Sequence, residues 1–154
     1  MTAEPASTRR KRRASRRRTV ELVGLDHVQL AMPPGEEALA RLFYGGVIGL
    51  QEVRQPRELA RRGGLWFVGP GISVHLGVED PFRPARRAHP AFVVTDIERA
   101  RRRIEANDLV VEDDDSGLPV RRCYVADPFG NRIELVDARD AGFTARRPER
   151  RDAG

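Results

Sequence analysis

Apolar and polar residues alternate from Leu22 to Met32, which predicts a strand that carries His27 and Gln29 on its polar face. After the turn at 33–35, apolar residues recur at helical spacing from Glu36 to about Val47. That spacing predicts a helix that buries Leu39, Leu42, Phe43 and Val47. Strands are then predicted at 50–54, Leu65–Val68 and Ile72–Val78, with a polar connection from Gln55 to Gly64. The first half of the chain is therefore predicted to be a β-α-β-β-β module.

The same order of elements returns in the second half of the chain. Strands are predicted at His89–Val94, Leu109–Val111, Val120–Ala126 and Arg132–Val136. The helix between the first two is predicted to run from a capping box, with Thr95 as the cap and Glu98 at the third helical position, to about Asn107. Two β-α-β-β-β modules in succession predict an α+β fold.

Three histidines and one glutamate stand at related positions in the two halves. His27 and His89 are 62 residues apart, and His75 and Glu134 are 59 residues apart. This nearly constant offset indicates an internal duplication of about sixty residues. Glu134 lies between Ile133 and Leu135, which is a poor place for a carboxylate unless that face of the sheet lines a site.

Charge and composition divide the chain further. Residues 1–19 hold eight Lys or Arg and one acid, whereas the remainder holds 20 basic and 22 acidic residues. We interpret 1–19 as a disordered basic tail that meets nucleic acid only non-specifically. The folded domain is predicted at 20–137, with module one at 20–79, a linker at 80–87 and module two at 88–137, followed by a tail at 138–154. The single cysteine and the absence of a long apolar run or secretion signal favour a cytoplasmic protein without a membrane span.

The repeated residues form a plausible metal-ligand set. Three imidazoles and one carboxylate suit Zn, Ni, Fe, Mn or Co, so we predict a divalent metal ion bound by His27, His75, His89 and Glu134. Each single histidine is better explained as an ordinary hydrogen-bonded strand residue, and only the duplicated spacing of all four favours a metal. The His-x-His spacing typical of cupins is absent.

The motifs resemble those of one known superfamily over residues 24–137. Leu25-Asp26-His27-Val28, the helix end from Phe43-Tyr44 to Gly49-Leu50, His75-Leu76, His89 and Asp127-Pro128-Phe129-Gly130-Asn131-Arg132-Ile133-Glu134 resemble the vicinal oxygen chelate superfamily. It includes glyoxalase I, fosfomycin- and bleomycin-resistance proteins, methylmalonyl-CoA epimerase and extradiol dioxygenases. The resemblance implies sheets curved into a cupped half-barrel, metal ligands at the four positions above, and a homodimer whose subunits share sites. Glyoxalase I has a carboxylate or glutamine at the position of His75.

The resemblance implies a metal-dependent isomerase or lyase that stabilises an oxyanion on a small oxygenated metabolite, with Glu134 as the catalytic base. Gln29 and Arg132 share faces with His27 and Glu134 by strand parity, and both are predicted to bind substrate. Tyr124 lies opposite the Glu134 strand and resembles a tyrosine of fosfomycin-resistance proteins, which implies a third substrate-binding residue. Two alternatives remain open: an extradiol-type ring-cleaving dioxygenase, and a non-catalytic binding protein of the bleomycin-resistance kind.

Overall fold

The computed structural model of the protein describes residues 20–85 and 87–142. The first half contains β1 (Val28–Met32), α1 (Glu37–Ala40, continued by a wider π-helical segment at Arg41–Ile48), β2 (Gln51–Val53), α2 (Arg57–Ala60), β3 (Leu65–Gly69) and β4 (Ile72–Val78). The second half contains β5 (Ala91–Val94), α3 (Ile97–Glu105), β6 (Val111–Asp113), β7 (Arg122–Ala126) and β8 (Arg132–Asp137). The predicted α+β fold with two similar modules is confirmed.

Each module contains one four-stranded mixed sheet, and the two sheets have the same strand order. Module one is ordered β1-β4-β3-β2 and module two β5-β8-β7-β6. β1 runs parallel to β4 and β5 runs parallel to β8, while the other pairs are antiparallel. Gln29 pairs with His75 in the first sheet, and Ala91 pairs with Glu134 in the second. His75 and Glu134 therefore occupy equivalent register positions.

Alternation along the strands gives each sheet one face that packs on its helices and a second face that carries the candidate site residues. Leu30, Met32, Val74 and Leu76 are buried on the helix side of the first sheet, whereas Gln29 is exposed on the other side. Ile133 and Leu135 are buried in the same way in the second sheet. Burial of each large apolar side chain contributes about 1.5–3 kcal/mol to the free energy of folding, and this stabilises the packing of each sheet against its helices. The candidate ligands His75 and Glu134 therefore face away from the packed core.

The buried stripe of α1 differs from the prediction. Phe43 and Val47 are buried as expected, together with Ala40 and Tyr44, but Leu39 and Leu42 are 43% and 66% exposed. The buried residues follow the i, i+3, i+4, i+7 spacing from Ala40, so the helical period holds, but the buried stripe does not include the predicted leucines.

The N-terminus of α3 also differs from the prediction. Asp96, not Thr95, is the N-cap, and its side chain accepts a 3.0 Å hydrogen bond from the backbone N–H of Arg99. The helix therefore begins one residue later, at Ile97, and Glu98 falls in its first turn rather than at the third position. The aspartate side chain accepts a hydrogen bond from a free N–H group of the first turn, which is the role predicted for the threonine.

Several predicted boundaries shift. β1 begins at Val28 rather than Leu22, and β5 begins at Ala91 rather than His89. β6 lies at Val111–Asp113, two residues beyond its predicted start, and the predicted polar connection contains the short helix α2. His27 and His89 therefore both lie just before a first strand rather than within it. Val20, Leu22, Val23 and Leu25 precede β1 with their side chains exposed.

The turn between β7 and β8 joins the two modules. Asp127 Oδ1 accepts from the backbone N–H groups of Phe129 and Asn131 at 2.9 and 2.8 Å. The Asn131 amide donates to the carbonyl of Ala31 on β1 at 2.8 Å. Gly130 has a φ of 90°, the left-handed conformation that glycine adopts at little cost.

The whole predicted tail at 1–19 lies outside the described residues, and so do residues 143–154 of the predicted tail at 138–154. Ala138 to Gly142 continue from β8, and Asp140 pairs with Arg121 at 2.7 Å. Within the described part of the chain, no helix is long and apolar enough to cross a membrane.

Candidate functional site

Three aromatic rings stack on the open face of the first sheet. The rings of His27 and His75 are stacked with centroids 4.0 Å apart, and Trp66 stacks on the other side of His75 at 3.9 Å. Trp66 and His75 are register partners on β3 and β4, so the sheet itself sets this contact. Two of the four predicted ligands are therefore neighbours.

His27 is held by the residue that precedes it. Its Nδ1 donates a 2.6 Å hydrogen bond to Asp26 Oδ2, and this bond lowers the pKa of the Asp26 carboxyl group. With a proton on Nδ1, the Nε2 lone pair of the neutral ring is free for a metal ion. Carboxylates commonly orient metal-binding histidines in this way.

His75 has a different environment. Burial lowers its pKa, and the neighbouring His27 lowers it further. Its Nε2 lies 3.3 Å from Ser73 Oγ. Because metal-binding lone pairs lie in the plane of the imidazole, two rings stacked at an angle of 21° direct their donors along nearly parallel planes. His27 and His75 need a ring rotation before both can bind one ion.

The other two predicted ligands form a second pair. His89 Nε2 lies 3.1 Å from Glu134 Oε2, and His89 Nδ1 lies 2.7 Å from the carbonyl oxygen of Arg87. A carbonyl only accepts, so Nδ1 carries a proton, and the Nε2 lone pair of the neutral ring then faces the carboxylate. A positive species has to lie between these two atoms, either a proton or a metal ion.

The dimensions of this pair suit a metal ion. Bonds of about 2.0–2.2 Å to nitrogen and oxygen place neighbouring ligand atoms about 3 Å apart. The separation of His89 Nε2 and Glu134 Oε2 is of this size, and a backbone carbonyl orients the histidine from behind. The donors present therefore fit a borderline divalent cation.

Glu134 is only 8% exposed, and its second oxygen also has a partner. Oε1 accepts a 3.2 Å bond from Arg122 Nη1. Tyr124 is the register partner of Glu134 on β7, and its ring meets His89 edge-on at 5.7 Å. The guanidinium of Arg132 lies over the Tyr124 ring at 3.8 Å from the centroid.

A cavity of about 460 Å³ lies beside His89 and also contacts module one. Its lining includes Gln29 from β1 and Arg83 from the connection between the modules. The lining thus combines one candidate metal ligand with a neutral hydrogen-bonding side chain and a cation. A small oxygenated molecule has the size and polarity to occupy it.

The two pairs of candidate ligands remain separate within one chain. Among residues 20–85 and 87–142, no three histidine, cysteine or acidic side chains gather closely enough to hold a metal ion. Catalytic metal sites commonly use three protein ligands. The candidate ligands of one described chain therefore form two separate pairs, which we call candidate half-sites: His27 with His75, and His89 with Glu134.

Asp26 and Arg122 are partners of the candidate site that were not among the predicted site residues. Asp26 was available as the immediate neighbour of His27. Strand parity could have indicated Arg122, because it lies two residues before Tyr124 and therefore on the same face of the strand paired with β8. Cys123 is buried, and burial raises the pKa of its thiol, which argues against a nucleophilic role.

Comparison with solved structures identifies close similarity to one protein. A glyoxalase family protein from Bacillus anthracis is 46% identical, with a TM-score of 0.74 over 78% of this chain and 98% of that chain. No protein-family model matches the sequence, and no curated protein matches it.

More distant structures share the fold. The fosfomycin resistance protein FosX from Listeria monocytogenes is 16% identical with a TM-score of 0.60, over 76% of this chain and 92% of that chain. The antibiotic binding protein TnmS3 from Streptomyces sp. CB03234 is 21% identical with a TM-score of 0.56, over 76% and 98%. At the much higher identity to the Bacillus anthracis protein, over nearly its whole length, the chain belongs to the glyoxalase family of the glyoxalase/bleomycin resistance/dioxygenase superfamily.

Proposed function

We propose that this protein is a divalent-metal-dependent isomerase or lyase that stabilises an oxyanion on a small oxygenated metabolite. The observation that carries the proposal is the 3.1 Å approach of His89 Nε2 to Glu134 Oε2, with Nδ1 of the same histidine bonded to a carbonyl. A proton or a divalent ion can satisfy both atoms, and we propose that the divalent ion takes this position in the functional protein. A bound divalent ion would supply Lewis-acid stabilisation of negative charge on a substrate oxygen.

The ligand set is completed by the other pair. His27 presents Nε2 in the same manner as His89, since in both rings Nδ1 is bonded to an acceptor. We propose His27 as the third ligand and His75 as a fourth that joins after its ring turns. The equivalent positions of His27 and His89 in the duplicated modules support the similar roles.

The remaining residues have assigned roles in binding and proton transfer. Glu134 is also the proposed base: Oε2, the oxygen that Arg122 does not bind, would leave the metal ion before it takes a proton. Arg132 places one face of its guanidinium on Tyr124, and its terminal nitrogens are proposed to bind an anionic or electronegative group of the substrate. Gln29 lines the cavity and is proposed to bind a substrate oxygen.

We also propose that two copies of the chain share their sites. Three ligands do not meet within the described residues of one copy, so a site needs His27 from one subunit and His89 with Glu134 from another. The exposed apolar residues before β1 support an assembly, because Leu22 is 88% exposed and Val23 is fully exposed in the single chain. Static light scattering is expected to give the mass of a dimer, and a Leu22→Glu variant is expected to weaken it.

A specific observation favours a second candidate function, the binding of an apolar compound without catalysis. An apolar cavity of about 320 Å³ lies between the modules, lined by Val47, Leu50, Ile72, Phe92, Leu135 and neighbouring residues. The antibiotic binding protein TnmS3 has the same fold. This reading requires no metal ion.

Metal analysis of protein purified without chelator tests the proposal. We expect one divalent ion per site in the wild type, and loss of that ion in His27→Ala and Glu134→Ala. Glu112→Ala is the matched control, because Glu112 is an exposed glutamate of the same module whose nearest basic group is Arg132 at 3.8 Å. Native, metal-free wild-type protein that takes up no added Zn, Ni, Fe, Mn or Co would contradict the proposal and favour the binding protein.

Mixing two inactive variants tests the shared site. His27→Ala and Glu134→Ala, unfolded and refolded together, are expected to form mixed dimers that regain one intact site out of two. The separately refolded variants serve as controls. If the mixture binds no more metal than its components, the sites are not shared between subunits.

A further inference from the structure

We infer that Arg122 is a positioning residue that holds Glu134 so that only one of its carboxylate oxygens is presented to the metal ion. The inference rests on the proposed function, and it concerns a residue outside the proposed ligand set. Arg122 Nη1 donates to Glu134 Oε1 at 3.2 Å, while Oε2 points to His89 Nε2 at 3.1 Å. The two oxygens of one carboxylate thus have separate partners.

Arg122 is itself fixed from the opposite side. Its Nε lies 2.9 Å from Asp114 Oδ2, and its Nη2 donates to Asp114 Oδ1 at 3.2 Å and to Ser116 Oγ at 3.0 Å. The side chains of Arg122, Asp114 and Glu134 are 14%, 10% and 11% exposed. A planar guanidinium held at two edges has little freedom to rotate, which makes it a firm support for a third group.

The support originates in the loop between β6 and β7. Asp114 and Ser116 lie in that loop, and Ser116 donates to Asp114 Oδ2 at 2.6 Å. The bond from Arg122 lowers the pKa of the Asp114 carboxyl group, so the pair is ionised at neutral pH. The loop is thereby connected through one arginine to the candidate ligand on β8.

Arg122 is expected to have two opposing effects on metal binding. Orientation of the ligand favours binding, whereas a positive charge close to the ion opposes it. Asp114 contacts the guanidinium along one edge and offsets part of its positive charge, so we expect the repulsion of the ion to be reduced. Orientation is therefore the larger effect, and removal of Arg122 weakens metal binding.

Titration with Co²⁺, followed by visible absorbance, tests the inference on the metal-free wild-type protein and its variants. Arg122→Met is expected to weaken Co²⁺ binding about 10- to 100-fold, the usual effect of removing a group that orients a metal ligand. Arg122→Lys keeps the charge but cannot bridge both carboxylates, so it is expected to recover only part of the affinity. Arg121→Met is the control, since Arg121 pairs with Asp140 and is expected to leave Co²⁺ affinity unchanged.

A double-mutant cycle separates positioning from general stability. Asp114→Asn is expected to weaken Co²⁺ binding in the wild type but to have no further effect in the Arg122→Met background, because Asp114 acts through Arg122. Unchanged or tighter Co²⁺ binding by Arg122→Met would overturn the inference. If Arg122→Met does not fold, unchanged affinity in both Asp114→Asn and Arg122→Lys would overturn it. Failure of the wild type to bind Co²⁺ would instead refute the proposed function.

Discussion

The hydroxyl of Tyr44 donates a 2.8 Å hydrogen bond to Asp127 Oδ2 in the protein interior. Tyr44 belongs to the helix of module one, and Asp127 begins the turn that precedes the Glu134 strand in module two. Burial raises the pKa of the Tyr44 hydroxyl well above its usual range, with a further contribution from Asp127, so the hydroxyl stays a neutral donor. The bond connects the two halves of the domain.

Replacement of Tyr44 by phenylalanine is expected to lower the free energy of unfolding by about 1–3 kcal/mol, because a buried carboxylate loses one of its donors. Urea denaturation measures the change. Tyr124→Phe is the matched control: its hydroxyl makes no hydrogen bond to the described part of the chain, and a change within about 0.5 kcal/mol is expected. Equal effects of the two substitutions would contradict the assigned role of the Tyr44–Asp127 bond.

The cap of α3 gives a second test of local structure. Asp96→Ala is expected to lower the free energy of unfolding by about 1 kcal/mol, because the Arg99 N–H loses its acceptor. Thr95→Ala, one residue earlier, is expected to have a smaller effect. Urea denaturation of the two variants decides between the caps, and a larger loss in Thr95→Ala would support the capping box that the sequence alone predicts.

The order of strands and helices within each module was predictable because it depends on short-range sequence patterns. Alternation identified the strands, and the repeat offset paired His27 with His89 and His75 with Glu134. The details that failed depend on geometry that a pattern does not contain. The face that the first helix buries is one such detail, because it includes Ala40 and Tyr44 and leaves Leu42 exposed.

Contacts within the site were predictable only in part. Tyr124 was expected opposite the strand that carries Glu134, and the observed register pairs it with Glu134 itself. The bridge from Asp114 through Arg122 to Glu134 depends on the path of a loop, and the Tyr44–Asp127 bond joins residues that are far apart in sequence. Neither contact produces a periodic pattern in the sequence from which it could be predicted. The metal-binding roles of His27, His75, His89 and Glu134 stay predictions.

The stacked rings provide an internal reporter of the first half-site. Trp66 is the single tryptophan of the chain, and it stacks on His75. Because burial and His27 lower the pKa of His75 from 6.5, the metal-free protein is expected to lose tryptophan fluorescence with a midpoint below pH 6.5, as the imidazole becomes a cationic quencher. His27→Gln is expected to raise the midpoint, because His27 contributes to the lowered pKa of His75.

The His75→Gln variant is the control for that titration, and its fluorescence is expected to stay constant over the same pH range. An identical curve in His75→Gln would show that another group is responsible. A wild-type midpoint above pH 6.5 would contradict the burial of His75 between Trp66 and His27.

Anomalous diffraction from crystals loaded with Co²⁺ tests the central claim most directly. We expect one strong peak within about 2.0–2.2 Å of both His89 Nε2 and Glu134 Oε2, with His27 Nε2 of a second subunit at the same distance. Glu134→Gln crystals under the same conditions are expected to lack the peak. A crystal soaked in saturating Co²⁺ that shows no cobalt between His89 and Glu134 would contradict the proposed metal site.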